Sequence, residues 1–183
     1  MLSQDLFRLT EARLREIRVI TRSTADGRGT VSFRTFVIEA PFELSRDLNA
    51  GKLLLVETTR PNNYLVLEVI DYVPMHFGLV SLDGSIPREL RKTVLENVSK
   101  AIKEGDTSES WLEVLASHVG YVMVDKGDDV AFMKGYIPPL PASQVYLFTP
   151  QAYSKLVSSA NGVRVGEVIN EGVELRINLA KAI

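Results

Sequence analysis

Along this chain the spacing of apolar residues changes several times, and each change marks an element. Leu2, Leu6 and Leu9 follow helical spacing, with Ser3 as a cap and Asp5 in the first turn, so a short helix is predicted from Leu2 to about Arg15. β-Branched residues then flank a glycine-rich turn, in Ile17-Arg-Val-Ile-Thr-Arg-Ser-Thr, Ala25-Asp-Gly-Arg-Gly and Thr30-Val-Ser-Phe-Arg-Thr-Phe-Val-Ile-Glu-Ala, which reads as a hairpin ended by Pro41. A second pair follows: a strand at 52–59, the turn Arg60-Pro-Asn-Asn, and a strand at 64–73. Both faces of that last strand are apolar, so it is expected to be covered on both sides.

From Pro87 the period becomes helical. Leu90, Val94, Leu95, Val98 and Ile102 form one stripe, with Pro87 suited to the first turn and Gly105 just past the end. A shorter helix is expected over Glu109–Ala116, although Trp111, Leu112 and Leu115 also suit a turn against the core, and β-structure then returns around the acidic turn 125–129. Tyr136-Ile-Pro-Pro-Leu-Pro lacks three backbone donors and predicts an extended connector over the surface. Thr149-Pro150 caps a helix to about Ser158, and 163–179 closes the chain as a hairpin turning at 170–172.

About eight short strands in hairpin order must pair their edges or close. The prediction is a mainly β (α+β) fold: a small antiparallel β-barrel with a helical insertion at about 87–116 and a short N-terminal helix. A single domain over 1–183 is the primary reading; the alternative sets 1–40 apart as an extension of a barrel at 41–183.

Composition narrows the function classes. With 183 residues, 45% hydrophobic and 24% charged, the chain can bury a core unaided. A formal charge of -2 offers no overall cationic field, so nucleic-acid affinity has to be local. The absence of cysteine removes disulfides, thiolate metal sites and cysteine nucleophiles. The charged start contains no apolar run of signal-peptide length, and no run approaches the roughly 20 residues that cross a bilayer, so a cytoplasmic protein is expected.

No catalytic or cofactor residue is assigned. Gly27-Arg28-Gly29-Thr30 lacks the lysine of a phosphate loop and lies between strands, which fits a hairpin turn. His76 and His118 do not share a metal-binding spacing, and Asp125, Asp128 and Asp129 lack the distal glutamate of a calcium loop. No serine sits in a GxSxG elbow. Neither a cofactor nor a metal is therefore expected. The one local charge feature is the basic start: Arg8, Arg15, Arg18 and Arg22 are candidates for contact with nucleic acid or an acidic partner, set against balancing Asp5, Glu11, Glu16 and Asp26. Phe33, Phe36 and Tyr64 could stack bases if exposed, so a stand-alone small-barrel binder of single-stranded nucleic acid is an alternative.

The C-terminal third carries a resemblance. Met133-Lys-Gly-Tyr-Ile-Pro-Pro-Leu-Pro-Ala-Ser-Gln-Val, then a short helix and Asn161-Gly-Val-Arg-Val-Gly-Glu-Val-Ile-Asn-Glu-Gly-Val-Glu-Leu-Arg-Ile-Asn-Leu, resembles the end of the N-terminal barrel of HerA-type hexameric DNA-translocating ATPases. Residues 41–132 are similar in the order of elements more than in letters, and the start departs from the family pattern. The resemblance implies a barrel used as a collar on a ring ATPase, which docks the NurA nuclease in DNA end resection. It implies homo-oligomers or a ring assembly, with Ile137, Pro138, Pro139 and Pro141 as partner-contact candidates. The chain has no Walker motif, so it is expected to be no enzyme in its own right: a fragment of a longer translocase or an independent collar.

Overall fold

The computed structural model describes residues 6–23, 29–80, 82, 85–124, 130–157, 163–168 and 173–177. Nine strands lie among them: β1 (Phe7–Ser23), β2 (Thr30–Pro41), β3 (Leu53–Glu57), β4 (Asn63–His76), β5 (Ser110–Val124), β6 (Val130–Met133), β7 (Gln144–Phe148), β8 (Val163–Val168) and β9 (Val173–Ile177). The helices are α1 (Phe77–Val80), α2 (Arg88–Lys103) and α3 (Pro150–Val157), with a 3-10 turn at Phe42–Arg46.

The sheet runs β2-β1-β7-β3-β4-β5, and β2 pairs with β5 to shut it. The result is a ring of six antiparallel strands, with β6 paired to the far part of β5 and β8–β9 forming a separate hairpin. Closure leaves no lateral edge on the ring, which is the physical solution the strand pattern demanded.

The interior is filled by alternate residues of every ring strand. Ala12 and Leu14 meet Phe36, Ile38 and Ala40, then Leu54, Val56, Leu65, Leu67, Leu112, Val114, Ala116, Val145 and Leu147. Pairs facing each other across the closing seam, Phe36 with Ala116 and Ile38 with Val114, set large against small. A second layer lies outside, where α3 lays Ala152 and Tyr153 with Leu6, Phe7 and Phe148 over Leu55, Val66 and Val122. Thus β4 is buried on both faces over Leu65–Leu67, as its continuous apolar run requires.

Local chemistry explains the connections. In the β3–β4 turn Asn62 takes φ +58°, a conformation asparagine tolerates, while the Thr58 hydroxyl donates to the Asn63 carbonyl at 2.7 Å. At the end of α2, Gly105 takes φ +85°, and the Gly105 and Asp106 amides donate back to Ile102 and Ala101. Thr149 caps α3, its oxygen accepting from the Ala152 amide at 3.3 Å and its hydroxyl donating to the Leu6 carbonyl at 2.9 Å.

Two expected helices are corrected. The stretch assigned to a helix up to Arg15 is strand from Phe7 onward; residues 1–5 lie outside the described residues. Thr10, Ala12 and Leu14 alternate with exposed Glu11, Arg13 and Arg15, a period of two that outweighs the leucine spacing. Glu109–Ala116 is likewise not a helix, because β5 begins at Ser110 and sends Leu112, Val114 and Ala116 inward. The helical insertion therefore ends before Ser110 rather than at Ala116. β1 and all of β2 but Pro41 fall within residues 1–40 of the alternative division, and they supply two of the six ring strands. The acidic turn 125–129 and the turn 170–172 lie outside the described residues.

Candidate functional site

Beyond the ring, β1 and β2 continue as a two-stranded ribbon. β7 accompanies β1 only to Arg13, and β5 accompanies β2 only as far as Thr35. From Glu16 to Ser23 and Thr30 to Arg34 the two strands pair with each other alone among the described residues. The described side chains here are exposed on both faces, including Ile17 (37%), Val19 (59%), Ile20 (44%) and Phe33 (53%). Ile20 stands opposite Phe33 on one face, and Ile17 shares the other with Val19.

The ribbon leaves the ring at a β-bulge. Between Leu14 and Glu16 the register slips, so that Arg15 has no direct partner on β2. Its guanidinium turns across the sheet instead, 2.5 Å from a Glu113 oxygen and 3.8 Å from Glu39. Glu39 and Glu113 face each other directly between β2 and β5, so Arg15 relieves a like-charge pair at the closing seam.

The basic candidates are consequently in ion pairs. Arg8 lies 2.6 Å from Asp47, Arg15 is held as above, and Arg18 pairs with Glu16 and reaches Glu113 at 3.8 Å. The four do not come together as a patch: Arg8 sits by β7, Arg15 and Arg18 near the seam, and the Arg22 side chain is outside the described residues. Of the three aromatics, Phe36 is fully buried in the barrel, Tyr64 is half-buried, and Phe33 is exposed on the ribbon.

The proline connector is extended, yet one side of it faces inward. Ile137 (4% exposed) and Pro139 are buried, while Pro138 and Pro141 are exposed. The segment runs beside β3: the Pro138 carbonyl accepts from the Thr59 amide, and the Leu140 amide donates to the Glu57 carbonyl, both at 3.0 Å. Prolines thus occupy places where no donor is required, and the non-proline residue supplies the donor. Tyr136 packs its ring against Phe36 and, edge-on, against His118, and the Arg34 guanidinium lies 4.7 Å over it. His118 Nε2 is 2.6 Å from the Gly135 carbonyl, so this histidine fastens the connector.

A cleft of about 290 Å³ lies between α2 and the ends of β4 and β5, lined by His76, Asn97, Val98, Asp106, Ser108 and Glu109. His76 is 7% exposed and its Nδ1 accepts from the Gly78 amide at 3.0 Å. That bond places the neutral ring's proton on Nε2. Hydrogen bonds from Ser108 hold the Asp106 carboxyl below its ordinary pKa. Among the described residues no three acidic or histidine side chains converge to hold a metal ion.

On the outer wall, Tyr146 donates to Glu57 at 2.9 Å and packs edge-on against Tyr64. Burial, followed by the Glu57 hydrogen bond and charge, pushes the Tyr146 hydroxyl up to about 12. No described helix is long and apolar enough to cross a membrane. The ribbon is not legible in the sequence: Ile17, Val19 and Ile20 read as strand, but nothing marks where their ring partners stop. No protein-family model matches this chain, and no curated protein is significantly similar to it.

Proposed function

We propose that this chain is a non-catalytic, cytoplasmic assembly and docking barrel, used as a collar on a ring ATPase of the HerA type and as a seat for a NurA-type nuclease in DNA end processing. The observation that carries the reading is the contrast between a ring with no open edge and a ribbon that leaves it with apolar residues on both faces. A two-stranded ribbon is marginal in water by itself, and exposed apolar surface of this kind calls for protein cover.

The collar assignment itself rests on the resemblance of residues 133–179, and the closed barrel supports it. The nucleic-acid alternative has no comparable support. Arg8, Arg15 and Arg18 are each paired with carboxylates, and Phe36 is inside the barrel. The test is light scattering of the full chain, alone and mixed with a HerA-type ATPase and a NurA-type nuclease. The expected result is a defined assembly with one of them or with itself. A strict monomer indifferent to both contradicts the proposal, and salt-sensitive oligonucleotide binding by that monomer supports the alternative.

A further inference from the structure

We infer that the outer edge of the β1 ribbon is a self-pairing edge, along which two copies of this chain join as antiparallel strands about a two-fold axis at Val19. This rests on the assembly reading and adds to it a contact that joins copies in pairs, since a two-fold interface closes as a dimer and does not by itself build a ring.

The argument begins with backbone groups. On the side away from β2, the last contact of β1 with the ring is the Leu14 amide donating to the Ser143 carbonyl at 3.0 Å. From Arg15 to Ser23 no strand pairs with that side among the described residues. An edge of this length is a template for another strand unless prolines or inward charges blunt it, and the segment contains no proline. The corresponding edge of β2 is shorter, since β5 takes it up to Thr35 and only residues 30–34 are left without a second strand among the described residues.

The side chains then select the occupant. When one strand pairs with its own copy about a two-fold axis, one residue faces itself and the others pair symmetrically around it. The free segment 15–23 is centred on Val19. In that register Glu16 of each copy stands opposite Arg22 of the other, Arg18 opposite Ile20, and Ile17 opposite Thr21. Two opposite-charge pairs result, with each Glu16 shared between Arg18 of its own copy and Arg22 of the other, and no like charges face each other. Moving the axis to Arg18 sets Arg18 against itself, and moving it to Ile20 sets Arg18 against Arg22. Charge therefore favours Val19 over either neighbouring axis. The pairing also merges two ribbons into four strands, enough to support the apolar faces carrying Ile17, Val19, Ile20 and Phe33.

The chain has no cysteine, so a single introduced thiol reports the register. Directly opposed Cα atoms lie about 4.5–5.5 Å apart, within the span a disulfide bridges. Under mild oxidation Val19→Cys is expected to give a covalent dimer, and Thr21→Cys, two places from the axis, is expected to stay monomeric on a denaturing gel. In parallel, light scattering reads Glu16→Arg and Arg22→Glu. Each alone is expected to weaken self-association at least tenfold, and the double reversal to restore it. Within one copy these residues face Val37 and Val31, so neither reversal opposes a charge on β2; Glu16→Arg also removes the pair with Arg18, which makes Arg22→Glu the cleaner arm. An assembling protein whose Val19→Cys fails to cross-link, or whose charge reversals have no effect, overturns the edge register and leaves the assembly reading intact. A wild-type chain that is monomeric and binds no partner overturns both.

Discussion

Gly120 shows how one residue constrains the barrel wall. A Cβ at this position would lie 2.6 Å from the Phe132 ring and 2.7 Å from the Met133 carbonyl, so β6 can approach β5 only over a glycine. Gly120→Ala is expected to destabilise the fold by about 1–3 kcal/mol, read from the midpoint of urea unfolding. Tyr146 yields a second expectation. With its pKa raised to about 12, its folded form holds a proton that the unfolded chain releases near 10. The associated stability is complete below pH 10 and is lost as pH rises toward 12. Absorbance titration of the phenolates should show Tyr146 and Tyr64 ionising late, both raised by burial and by Glu57, and Glu57→Gln should bring both midpoints down. At this scale the sequence told little about His118, which lies within β5 and fastens the connector through a carbonyl 17 residues away. It was less informative about the arginines, because the carboxylates that meet Arg8 and Arg15 lie 39 and 98 residues away.

Elements were legible where one period dominated. The α2 stripe, its glycine end and the Thr149 cap were all readable, because caps and amphipathic faces are local in sequence. Thr149→Ala removes the acceptor for Ala152 and the bond to Leu6, and is expected to cost about 1 kcal/mol, measured by thermal unfolding. The misread elements mix two patterns. Before Arg15, leucines at helical spacing overlay the alternation of Thr10, Ala12 and Leu14, and the tie from the Thr10 hydroxyl to the Val145 carbonyl, at 2.5 Å, spans 135 residues. Around Trp111 the apolar cluster suits either a turn of helix or a strand, and pairing with both β2 and β4 decides for the strand. Ribbon and ring strand likewise look alike in sequence, since the difference is only where the neighbours end.

The whole molecule is a closed barrel with two very different kinds of strand. In the ring every strand has neighbours on both sides; in the ribbon each has one among the described residues. The barrel could be anticipated from hairpin order, whereas its seam joins β2 to β5 across 70 or more residues and only the fold reveals it. The most direct measurement is amide hydrogen exchange of the full chain at low and high protein concentration. Amides at 35–40 and 111–117 should be protected equally at both, as members of a closed seam, while those amides at 16–22 that do not bond to β2 should gain protection only at the higher concentration. Rapid exchange along the seam would contradict the closed ring. Ribbon amides equally unprotected at both concentrations would contradict the claim that this edge exists to be paired.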